Sequence, residues 1–339
     1  MNACRRLLFT GLMLLAHGAS CVAQPAPTQR GLQTPQTPIK LWNIHPDGYP
    51  VTVALNSFAE DVKKVTDGRV MIEVFSNGVL GDQPKAVTMV KSGELEMAEF
   101  GLGPLSQEVK SMNAINLPFL FSNTEQMFRL LDGDMGDRFK TRLEAGGFVV
   151  LGWYDGGARS FYCVNKKLIG PRDFAGLRVR VQSTDIYLEL VKLLGATPVA
   201  VPYKEVLAAF ESGKIDCAEN NLPSFVSAGH YKFAKNVLLT QHVITPEALV
   251  MSTKQWAKIA PADQIKLREA GQRSALLMRQ LWQKRVVEAR EIAIKAGVKF
   301  EAPSEFGAYI SRMKPLHQKY WSDPATRTEL MTILANALN

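Results

Sequence analysis

The sequence has few of the residues, and none of the short motifs, that common enzyme families require. Its 339 residues include 5 His and 4 Cys, and neither Cys163 nor Cys217 has a partner at zinc-ligand spacing. There is no G-x-S-x-G elbow, phosphate-binding loop or H-E-x-x-H sequence. The run Gly101-Leu102-Gly103-Pro104 lacks the third glycine of a dinucleotide-binding loop. We therefore expect no metal site and no cofactor, although a catalytic triad can still assemble from distant residues.

Regular repeats and long charged runs are absent as well. The 25 Gly and 18 Pro follow no period, which excludes a collagen-like chain, and no long heptad array predicts a coiled coil. With 46% hydrophobic and 21% charged residues, the chain is not disordered along its length. Its basic residues are dispersed among acids and do not alternate with aromatic residues, so nucleic acid is not an expected partner. The length fits two globular domains.

The first residues predict export from the cytoplasm. Arg5 and Arg6 precede an apolar run, residues 7–16, and small residues then lead to Ala23. This order is typical of a cleaved secretory signal, and the run is shorter than the roughly 20 residues that span a bilayer. Residues 24–38, rich in Pro, Gln and Thr, are predicted to be a flexible linker. Removal of the signal takes away two arginines and no acid, so the formal net charge falls from +8 to 8 − 2 = +6. No later segment is apolar enough to span a membrane.

The four cysteines divide evenly between the signal and the mature chain. Cys4 and Cys21 lie in the predicted signal, and a lipoprotein signal ending at Cys21 is disfavoured because Gly18 stands where a larger aliphatic residue is usual. Cys163 and Cys217 remain. An oxidising compartment allows them to form a disulfide, but they can equally be isolated buried residues.

From residue 41 onward, short apolar segments alternate with amphipathic ones in two successive series. This alternation predicts an α/β fold with mainly parallel sheets, arranged as two lobes. The predicted strands are 69–75, 94–100, 148–153, 160–164, 177–182, 197–201 and 214–218. The predicted helices include 55–65, 82–90, 185–194 and 203–211.

A long helical pattern runs from Pro261 to about Ala296. Apolar residues recur there at spacings of three and four. Such a helix is roughly 50 Å long and can cross both lobes. Two consecutive helices broken near Gly271 are the alternative.

Two arginines are candidates for binding an anion. Arg180 lies in a strand in which Arg178, Arg180 and Gln182 share one face. A buried arginine near the carboxyl end of a parallel strand needs an anionic partner, and ligands of open α/β sheets bind at that end. Arg159 follows the glycine pair at residues 156–157 and begins the strand 160–164, so it is a second candidate. Structural salt bridges or an exposed edge strand are the alternatives.

Asn220 and Asn221 follow the predicted strand 214–218 directly. Amides at that position can bind sugar hydroxyls and carboxylates. Asparagine is also common in turns for local reasons, and for this pair a turn is favoured on residue chemistry alone.

Six segments carry a resemblance to a known family. They are Thr66-Asp67-Gly68-Arg69 leading to Leu80-Gly81-Asp82, then Leu117-Pro118-Phe119-Leu120, Gly176-Leu177-Arg178-Val179-Arg180-Val181, Leu194-Gly195-Ala196-Thr197-Pro198, Tyr203-Lys204-Glu205-Val206, and 213–220. Taken in order, they make nearly the whole mature chain resemble the substrate-binding proteins of tripartite ATP-independent periplasmic (TRAP) transporters, of the dicarboxylate-binding type. Cys217 departs from the family pattern, in which glycine is usual.

The resemblance implies a two-lobed periplasmic binding protein with hinge strands and a long lobe-spanning helix. Lobe I is expected to comprise 39–157 and about 246–280, and lobe II 158–245 and about 281–339. The family's bidentate carboxylate anchor falls on Arg180, and its second arginine falls on Arg159. The remaining implied ligand-binding residues are Asn220, His45, Tyr203, Gln83 and, in the polar set around them, Asn221.

The ligand is expected to be a sugar acid. Residues 44–50, 154–162 and 219–224 resemble the branch that binds hexuronates, although Leu222 stands where that branch often has an aromatic residue. A C4-dicarboxylate or a small hydroxy acid is the alternative ligand, and an exported sugar-acid lyase or hydrolase is the alternative function. The resemblance further implies a periplasmic monomer that delivers its ligand to membrane subunits of a TRAP transporter, and delivery to a sensor stays open.

Overall fold

A computed structural model describes residues 37–337. The predicted signal, 1–23, and most of the predicted linker lie outside the described residues. The strands are Ile39–Trp42 (β1), Ile72–Phe75 (β2), Met97–Gly101 (β3), Phe148–Cys163 (β4), Arg178–Val181 (β5), Thr197–Ala200 (β6), Cys217–Asn220 (β7), Asn236–Ser252 (β8) and Lys299–Glu301 (β9).

Helices surround these strands. They are Pro50–Val65 (α1), Gln83–Ser92 (α2), Leu102–Leu105 (α3), Thr124–Leu131 (α4), Asp134–Ala145 (α5), Asp185–Leu193 (α6), Val206–Glu211 (α7), Leu222–Ser227 (α8), Thr253–Trp256 (α9), Pro261–Lys295 (α10), Phe306–Ser322 (α11) and Pro324–Ala337 (α12). Short 3-10 turns occupy Lys110–Asn116, Pro171–Phe174, Tyr203–Glu205 and His230–Lys232. In this part of the chain no helix is both long enough and apolar enough to cross a membrane.

The described strands form one mixed sheet in the order β2-β1-β3-β8-β4-β7-β5-β6, with β9 added beside β8. β1 pairs in parallel with β2 and β3, and β5 pairs in parallel with β6 and β7. The antiparallel pairs are β3 with β8, β4 with β8 and β4 with β7. The predicted α/β fold with a mostly parallel sheet is therefore confirmed.

Two long strands run through the middle of the sheet. β4 has 16 residues and β8 has 17, and they pair along most of their length. The prediction of separate strands at 148–153 and 160–164 is wrong, because β8 pairs with β4 on both sides of the glycine pair. The ladder is irregular between Asp155 and Ala158, where the Asp155 carboxylate accepts a hydrogen bond from the Gly157 amide at 2.8 Å. Arg159 consequently lies inside β4 and does not begin a strand.

Alternating residues of the sheet pack against different layers. Leu41 and Val149 belong to the core cluster that α1 and α10 cover, whereas their neighbours Trp42 and Val150 belong to the cluster on the opposite face. This two-sided burial explains the near-continuous apolar runs of the central strands. Charged residues inside those runs therefore stand out as exceptions.

Helix α2 begins and ends as the sequence predicts. The Asp82 carboxylate caps it by accepting a hydrogen bond from the Lys85 amide at 3.2 Å, and Gly93 ends it with a φ of 82°. The cap fixes the position of Gln83, the first residue of the helix.

Helix α10 is continuous over its 35 residues, so the predicted long helix is confirmed and the alternative of a break at Gly271 is wrong. Gly271 instead permits a close contact with strand β4. A Cβ atom at Gly271 would meet the carbonyl oxygen of Leu151, and one at Gly152 would lie 2.7 Å from the Gly271 oxygen. The helix rests on the sheet because neither residue has a side chain.

Replacing Gly271 with alanine is expected to destabilise the protein by about 1–3 kcal/mol, since the added methyl group overpacks the contact with β4. Equilibrium urea unfolding measures this loss. The matched control is Gly307→Ala in α11, where an added Cβ meets no atom within 4 Å. A Gly271→Ala protein as stable as the Gly307→Ala protein would contradict the close contact.

Cys163 and Cys217 form a disulfide, which resolves the alternative left open by the sequence. The two residues lie opposite each other in β4 and β7. Closing a loop of 54 residues corresponds to about 4 kcal/mol in the chain-entropy description of disulfides. The bond joins the strand that carries Arg159 to the strand that carries Asn220.

Candidate functional site

A cavity of about 360 Å³ lies beside the carboxyl ends of β5 and β7, in the size range of small-molecule sites. All seven residues predicted for the site line this one cavity: His45, Gln83, Arg159, Arg180, Tyr203, Asn220 and Asn221. They come from six separate regions of the chain. These residues differ in their hydrogen-bond and ion-pair partners, and the differences indicate which side-chain groups are available to bind a ligand.

Arg180 has a buried guanidinium without a counterion. The residue is 2% exposed and makes no ion pair within 4 Å to any acid in the described part of the chain. Its Nε donates to the Val201 carbonyl at 2.9 Å, while Nη1 is buried and has no partner among residues 37–337. Burial lowers the pKa of Arg180 below its usual value, and the nearby Glu219 opposes that shift. A buried cation with an unused hydrogen-bond donor is stabilised by binding an anion.

Arg159, by contrast, is already paired. Its Nε and Nη2 atoms donate to the two carboxylate oxygens of Glu219 at 2.6 and 2.9 Å. Nη1 donates to Asn220 Oδ1 at 3.0 Å. Burial disfavours the charged guanidinium, but Glu219 outweighs burial and raises the pKa of Arg159 above its usual value. The Glu219 carboxylate also lies 3.5 Å from Nε2 of His242, which is buried.

Asn220 and Asn221 also differ in how many of their side-chain hydrogen-bonding groups are already used. Asn220 is the last residue of β7, not a residue after the strand, and its Oδ1 accepts from Arg159 and from the Asn221 amide. Asn220 Nδ2 makes no hydrogen bond to another described residue and so remains a donor. Asn221 caps α8 by accepting from Ser224, and its Nδ2 donates to the Gly156 carbonyl at 2.8 Å. The predicted turn at this pair is therefore wrong, because Asn220 belongs to a strand and Asn221 caps a helix while also lining the cavity.

His45 is a neutral, buried residue between β1 and α1. Its ring stacks on Tyr49 with 4.1 Å between centroids, and burial lowers the pKa of His45 to about 3. Nδ1 is buried and has no partner in the described structure. A neutral imidazole offers one donor and one acceptor, which suits a hydroxyl group.

Gln83 and Tyr203 complete the polar wall. Gln83 Oε1 is buried and lacks a partner among the described residues. The hydroxyl of Tyr203 donates to the Ser224 carbonyl at 3.4 Å, and burial raises the pKa of Tyr203 to about 12. Both side chains are uncharged at neutral pH.

The sequence prediction missed a pair of acids, Glu99 and Glu247. Glu99 is 1% exposed and Glu247, which lines the cavity, is 9% exposed. Burial raises the pKa of Glu99 to about 8 and that of Glu247 well above its usual value. Together with His45 they place one potential metal-binding atom each within 4.8 Å of one another, in the described part of the chain. Glu247 interrupts the apolar run 243–251, and that interruption was an available sequence signal, whereas Glu99 lies in a predicted strand that also contains other acids and gave no comparable signal.

Comparisons with known proteins identify the family of this chain. Residues 42–323 match the model of the DctP family, described as bacterial extracellular solute-binding protein, family 7. A solute-binding protein of Chromohalobacter salexigens is 36% identical over 325 residues, which cover 96% of this chain and 94% of that protein.

Two solved structures are similar over 88% of this chain and 99% of their own. One is a TRAP periplasmic solute-binding protein from C. salexigens with bound D-glucuronate, at 36% identity and a TM-score of 0.86. The other comes from a Sulfitobacter species, with bound β-D-galacturonate, at 36% identity and a TM-score of 0.85. The predicted resemblance is confirmed: this chain belongs to the DctP family of TRAP solute-binding proteins.

Proposed function

We propose that this protein captures a hexuronate, D-glucuronate or D-galacturonate, in the periplasm and delivers it unchanged to the membrane subunits of a TRAP transporter. The observation that carries the proposal is the buried guanidinium of Arg180, which has no counterion among the described residues, at the wall of the cavity. A planar guanidinium matches a carboxylate in two parallel hydrogen bonds. Arg180 is thus the main anchor of the ligand carboxylate.

The other residues have graded roles. Arg159 acts mainly through its fixed position, because Glu219 already neutralises it, and it offers one remaining N–H of Nη1. Asn220 Nδ2 donates to the same carboxylate. Sugar hydroxyls are bound by the neutral groups of the wall, namely His45, Gln83, Tyr203 and, through its remaining N–H, Asn221.

The choice of a hexuronate is supported by the ligands of the two similar structures, at 36% identity. It is supported independently by the composition of the wall, where the described residues offer one cation without a counterion, Arg180, and several neutral hydrogen-bonding groups. A ligand with one carboxylate and several hydroxyl groups satisfies such a wall.

Ligand capture requires the two lobes to close. We place the hinge in β4 and β8, whose ladder is irregular between Asp155 and Ala158. We assign the lobes as the sequence predicts, with one change. Helix α12 packs against Lys110–Asn116 and α4, so we assign it to lobe I. The protein acts as a monomer and without chemical turnover of its ligand.

A thermal-shift screen over uronates, aldonates and C4-dicarboxylates tests the proposal. D-Glucuronate or D-galacturonate is expected to raise the unfolding temperature more than the other acids, because it is expected to bind most tightly. A ligand at a hundred times its Kd stabilises the folded protein by about 2.7 kcal/mol. Mass spectrometry of the recovered ligand is expected to find it unchanged. If a C4-dicarboxylate stabilised the protein most, the proposal that the ligand is a hexuronate would be contradicted. Chemical conversion of the acid would favour the alternative function, an exported lyase or hydrolase.

A further inference from the structure

The charged groups of the cavity are distributed unequally. Two cations line it, Arg180 and Arg159, and the second is neutralised by Glu219. Glu247 lines the cavity from β8, and in the sheet order β4 and β7 separate β8 from β5, the strand of Arg180. One region of the wall therefore attracts a carboxylate, and another carries a carboxyl group of its own.

Glu247 is backed by a second acid on the same face of the sheet. Glu99 lies opposite Leu249, and Glu247 lies opposite Gly101, so the two acids are diagonal neighbours across β3 and β8. Glu99 Oε1 and Glu247 Oε2 are both buried without a partner in the described structure, and neither acid forms an ion pair with a described cation. Two carboxylates this close and this buried cannot both be ionised. The pair holds at least one proton, in agreement with the raised pKa of Glu99.

The surroundings of the pair supply little positive charge. His45 is neutral because burial lowers its pKa to about 3, and burial raises the pKa of Asp155, another acid near Glu247, to about 6. Arg159 is the cation that favours ionised Glu247, but its guanidinium is bonded to Glu219. A hydroxyl group can donate to one oxygen of the pair and accept from a protonated one. A second ligand carboxylate would instead add negative charge where no free cation stands among the described residues.

We propose that Glu247, with Glu99 behind it, determines specificity by binding a ligand hydroxyl and excluding a second carboxylate. The inference rests on the proposed function and narrows it: the substrates are sugar acids with one carboxylate, and aldarates and C4-dicarboxylates are rejected. Glu247 thus selects the uncharged end of the ligand, while Arg180 selects the charged end.

Isothermal titration calorimetry with D-glucuronate and D-glucarate tests the inference, because glucarate carries a second carboxylate at the far end of the same carbon chain. The purified wild-type protein is expected to prefer glucuronate at least a hundredfold. Glu247→Gln keeps the shape and removes the ionisable carboxyl group, so it is expected to reduce that preference at least tenfold by strengthening glucarate binding. The shape difference between the ligands is common to all variants, so only the change in preference counts.

The matched control is Glu108→Gln, which removes an acid at the edge of the cavity whose carboxylate is paired with Lys91 at 2.6 Å. The preference of the Glu108→Gln protein for glucuronate over glucarate is expected to stay within threefold of the wild-type preference. If Glu247→Gln does not fold, the double variant Glu99→Gln/Glu247→Gln removes both carboxyl groups and replaces them with two amides that can bond to each other.

Three results would overturn the inference. The first is an unchanged preference in a Glu247→Gln protein that still binds glucuronate, which leaves the proposed function intact. The second is loss of glucuronate binding in EDTA and its recovery with Ca²⁺ or Zn²⁺, which would make the acids cation ligands. The third is a wild-type protein that binds neither acid, which would overturn the proposed function as well.

Discussion

The Arg180→Lys protein is expected to bind a hexuronate at least a hundredfold more weakly than wild type. Lysine keeps the positive charge but loses the planar pair of donors that fits a carboxylate. It also loses the bond from Nε to the Val201 carbonyl, which orients the guanidinium. Disrupting one member of a buried, hydrogen-bonded charge pair typically costs about 2–5 kcal/mol, and about 2.8 kcal/mol corresponds to a hundredfold change in Kd. Isothermal titration calorimetry measures the difference.

Arg178→Lys is the matched control on the same strand. The Arg178 side chain is 46% exposed and pairs with Asp216 at 2.6 Å, away from the cavity lining. The Arg178→Lys protein is expected to bind the hexuronate with the affinity of wild type. An Arg180→Lys protein that binds within a few-fold of wild type would remove Arg180 from the site, provided that circular dichroism finds both variants folded.

The Glu219→Gln protein is expected to lose about 3–5 kcal/mol of its free energy of unfolding, because a buried Arg159 is left without its counterion. Both partners are almost fully buried, with side chains 4% and 0% exposed. The comparison is Asp216→Asn, which breaks a bidentate arginine pair of the same kind at the surface. That pair is exposed to solvent, so its loss is expected to change stability little. Urea unfolding of both variants measures the contrast, and equal losses would contradict the role of burial.

The effect of Glu219→Gln depends on pH in a defined direction. Burial alone raises the pKa of Glu219, but Arg159 and His242 outweigh burial and hold it at about 2 in the folded protein. The folded pKa lies below the unfolded value, so the ionised carboxylate stabilises the protein above about pH 4.5. That contribution is lost as pH falls towards 2. The stability difference between wild type and Glu219→Gln is therefore expected to shrink over this range, and a constant difference would contradict the assignment.

Much of the fold was predictable because its signals are local. Asp82 and Gly93 bound α2 through a side-chain cap and a left-handed glycine, and both act within a few residues. The long apolar face of α10 likewise depends only on helical spacing. The predictions of secondary structure were wrong where pairing with a segment distant in the sequence determines the extent of a strand. The glycine pair at 156–157 is typical of a turn, yet β8 supplies hydrogen bonds on both sides of it and makes β4 one strand.

The candidate site was predictable in its membership and not in its chemistry. Local patterns and the family resemblance identified residues that do line one cavity. They did not distinguish Arg180, whose guanidinium is free, from Arg159, which is neutralised by Glu219. That distinction depends on which side chain of a neighbouring strand faces each arginine, and strand order is a property of the whole sheet.

The sequence by itself determined the α/β alternation, the long helix, the dispersed charge and two arginines able to bind an anion. Each of these follows from side-chain periodicity, capping or residue chemistry, which operate over a few residues. Only the tertiary structure decided that Cys163 bonds to Cys217, that Gly271 rests on β4, and that Glu99 meets Glu247. These pairs are far apart in the chain and are joined by strand register and close packing. Contacts of that kind are settled when the whole core is buried, so no local pattern encodes them.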